Sequence, residues 1–342
     1  MRAIVAESAA ASGLEVAPIP LPLREIELPL PELRPHDLLV RVEAVAVNPV
    51  DTKVRASLAA GDTPRVLGWD AAGRVEAVGA AVQRFRPGDA VMAAGDITRP
   101  GCNAQWLAVD ERITGRRPTG CSWAEAAALP LTGLTAWEAL FERLGLDPEG
   151  ADTGRSLLIL GGAGGVGSLA IQLARRAGLL VLATASRPES AAWVRQLGAD
   201  HVLDHSRELA PQLLALGLES VDRIANFADT DAYWDVMADL IRPQGAIVAI
   251  VGNRAPLDLD RLKSKSASFH WEFMFTRARY GTPDLARQGE ILERLADRIE
   301  AGELRSCLQT DLGAITPDNL ERAHTLLGTG RSIGKIALSG WG

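Results

Sequence analysis

The stretch of residues 161–167 is the feature that most constrains the fold of this chain. It follows the apolar run Ser156–Leu160, typical of a buried parallel strand, and it precedes an apolar-faced helical segment at 168–178. Three of its glycines have the spacing G-x-G-x-x-G, which allows a tight turn, close approach of the backbone to a pyrophosphate, and close packing of helix on strand. The free N–H groups at the helix N-terminus also favour a phosphate. We therefore predict a dinucleotide-binding loop made of Gly162, Ala163, Gly164, Gly165, Val166 and Gly167.

Composition limits the class of protein and of partner. The 342 residues suggest two domains, and 47% hydrophobic with 23% charged residues is ordinary for a soluble globular protein. The net charge of -7, without a long basic run, disfavours nucleic acid and anionic membranes as partners. Cys102, Cys121 and Cys307 lie far apart without a C-x-x-C motif, which favours a reducing cytoplasm. The first apolar run is too short before Glu7 for a signal peptide.

The hydrophobic pattern changes along the chain. Residues 1–35 are rich in proline and predict short strands, residues 36–47 predict a longer strand, and residues 48–53 predict a polar loop after it. Further short strands and turns make the first 120 residues β-rich. A capping box at residues 122–125 opens a helical region, and from Ser156 strands and helices alternate, which predicts a doubly wound parallel sheet.

Several short motifs are spread along the chain: residues 46–52 (Ala-Val-Asn-Pro-Val-Asp-Thr), 67–73 (Leu-Gly-Trp-Asp-Ala-Ala-Gly), 86–89 (Arg-Pro-Gly-Asp), 126–132 (Ala-Ala-Ala-Leu-Pro-Leu-Thr), the glycine loop and 197–200 (Leu-Gly-Ala-Asp). Together they resemble the medium-chain dehydrogenase/reductase superfamily, and the match covers essentially the whole chain. The Asn-Pro-Val-Asp and Ala-Gly-Gly-Val-Gly segments are similar to the zinc-independent quinone oxidoreductase branch, which includes zeta-crystallin. Residues 269–275 resemble a subgroup often labelled zinc-type alcohol dehydrogenase-like.

The resemblance implies an α/β fold in which a Rossmann domain is inserted in a GroES-like β-rich catalytic domain. We expect the catalytic domain at residues 1–130 and 266–342 and the NAD(P)-binding domain at 131–265. The family further implies a cleft for nicotinamide and substrate, and a homodimer formed through the Rossmann sheets. A monomer in light scattering at micromolar concentration would contradict the dimer.

Zinc is not expected at the positions that bind it in other family members. Those members have a cysteine where this chain has Asn48 and Gly-His-Glu where it has Gly-Trp-Asp at 68–70; the four-cysteine lobe is missing as well. Zinc needs several Cys, His or carboxylate ligands, which Asn48 and Trp69 do not supply. His201 and His205 bracket a predicted strand, where four residues span roughly 13 Å, so surface histidines are favoured over ligands.

Four polar residues are candidates for the catalytic site, and the resemblance gives two of them a role. Asn48 and Thr132 would hydrogen-bond an oxygen of the cofactor or substrate, whereas Asn48 and Asp51 could also simply cap a turn. Lys53 stands where many quinone oxidoreductases have tyrosine, so the family's proton donor cannot be transferred to it. Trp69 and Phe269 are candidates to line an apolar substrate pocket, or else belong to the core.

Residues 186–189 bear on the choice of cofactor. Ser186 and Glu189 could form a capping box with proline in the first turn. The same segment follows the second strand, where NAD-dependent enzymes place an acid for the ribose; here Ser186 and Arg187 could instead bind a 2′-phosphate. We therefore predict NADPH as the cofactor.

The sequence thus favours an NADPH-dependent, zinc-free reductase of small electrophiles such as quinones, activated enones and enals. An electron-poor conjugated acceptor can take hydride without a metal, whereas alcohol oxidation benefits from a Lewis acid. Two alternatives remain open: a zinc-type alcohol dehydrogenase with unusual ligands, and a non-catalytic NADPH-binding regulator.

Overall fold

The computed structural model describes residues 1–6, 21–59 and 61–342, and in that part of the chain strands and helices form two compact units. The β-rich unit comprises Met1–Leu131 and Phe275–Gly342, and the Rossmann unit comprises Thr132–Met274. In chain order the strands are β1 Arg2–Ala6, β2 Leu23–Glu27, β3 Asp37–Val47, β4 Arg65–Val66, β5 Ala71–Val78, β6 Ala90–Ala93, β7 Trp106–Asp110, β8 Thr114–Arg116, β9 Ser156–Leu160, β10 Leu180–Thr184, β11 His201–Leu203, β12 Val221–Asn226, β13 Ile241–Ala249, β14 Ser268–Trp271, β15 Leu308–Asp311 and β16 Lys335–Ser339.

The helices connect these strands and cover the sheets. In chain order they are α1 Pro49–Ala56, α2 Trp123–Ala127, α3 Pro130–Trp137, α4 Gly165–Arg176, α5 Pro188–Gln196, α6 Leu209–Ala215, α7 Thr230–Leu240, α8 Asp260–Lys263, α9 Thr276–Tyr280, α10 Arg287–Glu300 and α11 Pro317–Gly328; the π-helical turn Glu138–Arg143 continues α3. No helix among the described residues is long and apolar enough to span a membrane.

Strand β3 is the centre of the β-rich unit. Its sheet has the order β15-β16-β3-β5-β6-β8, with β7 also paired to β3, and a second sheet has the order β2-β1-β4. The C-terminal strand β16 runs antiparallel to β3, so that Ile336 faces Val47 in the register. The two ends of the chain are therefore parts of one unit, and the start of β16 lies beside the end of β3.

The Rossmann unit contains one six-stranded sheet in the order β11-β10-β9-β12-β13-β14. All five strand pairs are parallel. Counted from β9, the order is 3-2-1-4-5-6, the doubly wound arrangement in which ligands bind at the carboxyl ends where the order reverses. The reversal lies between β10 and β12 on the two sides of β9, so the glycine loop after β9 occupies that position. The predicted fold class is confirmed.

Some predicted elements differ from the observed ones. Residues 49–56 form helix α1 rather than a loop, because Pro49 starts the helix and the Asp51 carboxylate accepts the Asn48 N–H at its N-terminus. The boundary predicted near residue 265 differs from the observed division after Met274, since β14 pairs with β13 in the Rossmann sheet. The strand prediction for residues 1–35 agrees with β1 and β2, but its part at 7–20 lies outside the described residues.

Two glycines of the loop face different surroundings. A Cβ at Gly167 would collide with Gly161 O and would lie 2.8 Å from Gly162 Cα, because α4 packs directly on the end of β9. A Cβ at Gly164 would have Gly161 O as its neighbour at 3.5 Å, which is an ordinary contact. Gly164 is the N-cap of α4 with φ −72°, a conformation open to any residue.

We expect Gly167→Ala to lower the free energy of unfolding by about 1–3 kcal/mol, because the new methyl group overpacks backbone that cannot move freely. Gly164→Ala is the matched control, with an expected change within about 0.5 kcal/mol. Urea unfolding of both variants without added cofactor measures the difference. Equal unfolding midpoints for the two variants would contradict the close packing of α4 on β9.

Candidate active site

A cluster of buried polar side chains lies at the end of β3 in the β-rich unit. Asn48, Asp51, Asp70 and Lys335 are between 0% and 3% exposed. Asn48 follows β3, Asp51 is in the first turn of α1, Asp70 precedes β5, and Lys335 is the first residue of β16. The pairing of both β5 and β16 with β3 brings these distant parts of the sequence together. Buried charged groups need partners, so their contacts define the site.

The ammonium group of Lys335 is at the centre of the cluster. Its Nζ donates to Val47 O at 2.8 Å, to Asn48 Oδ1 at 2.6 Å and to Asp70 Oδ2 at 2.9 Å. Asn48 Nδ2 also donates to Asp70 Oδ2 at 2.9 Å, and the Leu131 N–H donates to Asp70 Oδ1 at 2.8 Å. All three ammonium hydrogens are thus used, and both oxygens of Asp70 are satisfied.

Asp51 is the second carboxyl of the cluster and is bonded differently. Its Oδ2 accepts the Asn48 N–H at 2.9 Å, and its Oδ1 has no hydrogen-bond partner among the described residues. Burial raises the pKa of Asp51 from 3.8 to about 7; Asp70 adds to the rise, whereas the Asn48 N–H and Lys335 oppose it. Burial also raises the pKa of Asp70, but the Lys335 ammonium contacts that carboxylate directly and opposes the rise. Asp51, which lacks direct contact with the ammonium, thus has a pKa near neutral pH.

A thiol lies next to the cluster. Cys102 is buried, and its Sγ donates to Asp70 O at 3.3 Å. Burial raises the pKa of the Cys102 thiol, and the carboxylates of Asp51 and Asp70 add to this effect. Because the thiolate is the nucleophile and the metal ligand, this cysteine is unreactive in its present surroundings.

The other candidate residues of the sequence are not part of this cluster. Lys53 is exposed on α1. Thr132 is buried and is the third residue of α3, in the Rossmann unit. Trp69 is buried in the β-rich unit, with its ring edge-to-face against Phe275 at 6.3 Å. Whether these residues contact a substrate stays a prediction.

Phe269 lies on the edge strand β14 of the Rossmann unit. Its ring packs edge-to-face against Trp234 at 5.5 Å and against Trp271 at 4.9 Å. It also joins the hydrophobic cluster under β12 and β13. These contacts account for Phe269 as a core residue, and its part in a pocket stays a prediction.

Two residues of the cluster were missed by sequence reasoning. Asp70 belongs to a motif that carried the family resemblance, yet it was considered only as a zinc-site replacement. Lys335 lies in a strand with the sequence Lys-Ile-Ala-Leu-Ser, where it resembles an ordinary strand residue. A lysine at the start of an otherwise apolar, buried strand is the signal that could have identified it, because lysine is almost never fully buried without a partner.

The glycine loop in the Rossmann unit has the geometry of a dinucleotide site. Gly161 turns the chain with φ +78°, and its N–H donates to Thr184 Oγ1 at 3.0 Å. Helix α4 then begins without a side chain capping its N-terminus. First-turn N–H groups that no side chain caps can bind a pyrophosphate. The residues present therefore fit a dinucleotide.

The segment after β10 differs in detail from its predicted capping pattern. The N-cap of α5 is Arg187 rather than Ser186, because the Ser190 hydroxyl, and not the Glu189 carboxylate, accepts the N–H of the cap residue. Glu189 instead pairs with Arg187, with Oε1 2.8 Å from Nε. Ser186 is exposed and Arg187 is half-buried. Serine and arginine thus lie where the strand ends, and the arginine already has one carboxylate beside it.

A cavity of about 330 Å³ opens elsewhere in the β-rich unit. Two arginines in its wall are already neutralised: Arg99 binds Asp37 through two hydrogen bonds, and Arg112 binds Asp110 in the same way. The four cluster residues are not in its wall. The cavity is therefore not assigned to the candidate active site.

The raised pKa of Asp51 predicts how stability changes with pH. Between about pH 4 and 7 the folded state keeps a proton that the unfolded state has lost, so stability falls as pH rises through this window. Asp51→Asn keeps the shape of the protonated acid but does not titrate. The free energy of unfolding of Asp51→Asn should exceed that of the wild type by an amount that grows from pH 5 to pH 8. This difference should reach up to roughly 4 kcal/mol, at about 1.4 kcal/mol per pKa unit.

Urea unfolding of both proteins across this range measures the effect, and titrations shared by the two proteins cancel in the difference. Parallel stability curves for the wild type and Asp51→Asn would show that Asp51 is ionised in the fold.

Two family models match the chain, one mainly in the β-rich unit and one mainly in the Rossmann unit. Residues 34–138 match the alcohol dehydrogenase GroES-like domain, and residues 165–285 match the zinc-binding dehydrogenase domain. Among curated relatives, a zinc-type alcohol dehydrogenase-like protein of Staphylococcus aureus strain MSSA476 is 43% identical over 304 residues, covering 89% of this chain and 90% of the relative. A 2-methylene-furan-3-one reductase of Solanum lycopersicum is 31% identical over 336 residues, covering 92% and 74%.

Two solved structures resemble this chain over almost its whole length. A protein from Rhizobium etli CFN 42, described as a candidate zinc-dependent alcohol dehydrogenase, superposes with a TM-score of 0.92 at 47% identity, covering 100% of this chain and 98% of that one. A mycobacterial protein solved in complex with NADPH superposes with a TM-score of 0.80 at 26% identity, covering 99% and 100%. The chain belongs to the medium-chain dehydrogenase/reductase superfamily of oxidoreductases, among relatives described as zinc-type alcohol dehydrogenase-like proteins and quinone oxidoreductases.

Proposed function

We propose that the protein is an NADPH-dependent reductase that transfers hydride to quinones or to activated enones and enals without zinc. The observation that carries the proposal is the buried ammonium of Lys335, which lies among oxygens of Val47, Asn48 and Asp70. By the family resemblance, Asn48 stands where zinc-binding members have a cysteine, and Asp70 stands where they have the glutamate of Gly-His-Glu. The tomato relative is named for reducing a conjugated enone, and a mycobacterial neighbour was solved with NADPH. Both names support this substrate class and cofactor.

The residues at the family's zinc position do not fit a zinc ion. Asn48 offers an amide whose oxygen already accepts a hydrogen bond from Lys335. Trp69 has a ring N–H that donates to Asp96 O at 3.4 Å, and it supplies no lone pair for a metal. A divalent cation beside the buried ammonium of Lys335 would also be repelled by it. The proposed reaction therefore uses no metal-dependent step.

The proposed reaction needs little from the protein beyond position and hydrogen bonding. When bound, the nicotinamide supplies the hydride. An electron-poor double bond accepts hydride directly, and negative charge then develops on the carbonyl oxygen. In the proposal, one amide hydrogen of Asn48 donates to that oxygen, and the Thr132 hydroxyl assists. Hydrogen bonds that strengthen as charge develops lower the barrier of the reaction.

The binding loop has a separate role in the proposal. The residues from Gly162 to Gly167 hold the pyrophosphate at the N-terminus of α4, and this contact orients the cofactor without contributing to hydride transfer. Burial raises the pKa of Asp51 to about 7, so this carboxyl of the cluster is partly protonated at neutral pH. Lys53, exposed on α1, is kept as a candidate for contact with the substrate.

Turnover against a panel of acceptors tests the proposal. We expect NADPH oxidation with quinones, enones and enals, no oxidation of simple alcohols by NADP⁺, and unchanged rates after treatment with a chelator. About one zinc per chain, with activity lost on chelation, would favour a zinc-type alcohol dehydrogenase. Tight NADPH binding without turnover across the panel would favour a non-catalytic regulator.

Arg187 should decide between NADPH and NADH. Charge-assisted hydrogen bonds to the 2′-phosphate are worth about 1.5–3 kcal/mol, which corresponds to roughly a 10- to 150-fold preference in kcat/KM. Arg187→Ala should remove most of this preference with little change for NADH. Ser186→Asp should shift the preference towards NADH, because an added carboxylate repels the phosphate and can bind the ribose hydroxyl.

The neighbouring carboxylate provides a second arm of this test. Glu189 pairs with Arg187, so Glu189→Gln should strengthen the NADPH preference. Arg195→Ala is the matched control, since Arg195 is an exposed arginine in the last turn of the same helix. Equal losses for NADPH and NADH in Arg187→Ala would mean that Arg187 serves only to begin α5.

Two broader expectations accompany this function. We propose a homodimer formed through the Rossmann sheets, which rests on the family resemblance. We also propose a reducing cytoplasmic setting, in keeping with the free thiols of Cys102, Cys121 and Cys307.

A further inference from the structure

The orientation of the Asn48 amide is fixed by charged groups on both of its ends. Its Oδ1 lies 2.6 Å from the ammonium of Lys335, and its Nδ2 lies 2.9 Å from the carboxylate of Asp70. A flipped amide would place Nδ2 against the ammonium and Oδ1 against the carboxylate, so donor would face donor and acceptor would face acceptor. The amide therefore has one orientation, and the hydrogen that remains free on it belongs to Nδ2.

The Asn48 side chain is bound to charged groups rather than to the helix that follows it. The Asp51 N–H donates to the backbone carbonyl oxygen of Asn48 at 3.0 Å, while the side-chain oxygen of Asn48 accepts from Lys335 and the Asn48 N–H donates to the Asp51 carboxylate. The Asn48 side chain is therefore available for another purpose, and its removal leaves the Asp51 contact at the start of α1 in place. Among the residues that the structure describes, the Asn48 side chain forms its hydrogen bonds with Lys335 and Asp70, and these determine how it points.

From this arrangement we infer that Lys335 is a positioning residue, which holds the Asn48 amide with its N–H group directed to bind the carbonyl oxygen of the acceptor. The inference rests on the proposed function, in which Asn48 binds that oxygen. It assigns a role in the reaction to a residue from the opposite end of the chain, 287 positions away from Asn48. Lys335 itself is buried and acts only through the amide.

Removal of the ammonium should release the amide. Without Lys335, Asp70 would be a buried carboxyl with no cation, and it would take up a proton. A protonated carboxyl can donate to the amide oxygen as well as accept from the amide nitrogen, so both orientations of Asn48 would become possible. The acceptor would then meet the amide oxygen in part of the molecules, and its reduction would slow.

A double-mutant cycle tests whether Lys335 acts through Asn48. Lys335→Met should lower kcat for an enone about 10- to 100-fold, which is the range for loss of a charge-assisted hydrogen bond. Asn48→Ala should lower kcat by a similar factor. In the Asn48→Ala background, Lys335→Met should change kcat less than about twofold, because there is no amide left to orient. The Kd for NADPH should stay within about twofold throughout.

A matched control separates positioning from general stability. Lys265 in the Rossmann unit likewise makes three hydrogen bonds, but all of them go to backbone carbonyls, those of Ala238, Asp239 and Ile241, at 2.7–2.8 Å. Lys265→Met loses the same number of ammonium hydrogen bonds and should lower Tm while kcat stays within about twofold. Lys335→Gln keeps an N–H donor on a neutral side chain. It should retain more activity than Lys335→Met, and it serves in the cycle if the methionine variant does not fold.

The outcomes separate this inference from the function on which it rests. Equal losses from Lys335→Met in both backgrounds, or a lower Tm with unchanged kcat, would overturn the positioning role while leaving the proposed function intact. Unchanged kcat and KM in Asn48→Ala would overturn the role of Asn48 in the reaction, and the inference about Lys335 with it. A fall in kcat for Lys265→Met equal to that for Lys335→Met would assign both effects to stability.

Discussion

The buried ammonium of Lys335 is the interaction on which the rest of the site depends. It joins the C-terminal strand to the end of the central strand β3, and it pairs with the buried carboxylate of Asp70. Two buried carboxyls share this one cation, and Asp51, which has no direct contact with the ammonium, has its pKa raised by burial to about 7. A buried charge with three well-placed acceptors is tolerated, whereas the same charge without them would destabilise the fold.

The residues around Lys335 contrast with the word zinc in the names of family models and relatives. By the family resemblance, the zinc-binding positions correspond in this chain to the amide of Asn48, the indole of Trp69 and the lysine-paired carboxylate of Asp70. The ammonium of Lys335 is attached covalently to the protein, so its charge is a permanent part of the cluster. Because all three hydrogens of the ammonium are donated to protein groups, Lys335 can influence a substrate only through the groups to which it is bound.

The Rossmann unit follows a different constraint, namely the close approach of backbone to backbone. Helix α4 packs so near the end of β9 that a methyl group at Gly167 would collide with the loop, whereas Gly164 has ordinary space around it. The structure therefore requires glycine for packing at position 167, whereas the space around position 164 would accept a larger residue.

The sequence by itself determined the alternation of strands and helices, the glycine loop, and the position of Asn48 and Asp51 at a strand end, because these depend on local periodicity and on residues near one another. It did not determine helix α1, the capping of α5 or the cluster around Lys335. Capping depends on which side-chain oxygen reaches an N–H, and Ser190 and Glu189 are neighbours that only geometry distinguishes. The partnership of Lys335 with Asn48 and Asp70 depends on the register of β16 against β3, which joins residues nearly 300 positions apart and which only the tertiary structure decided.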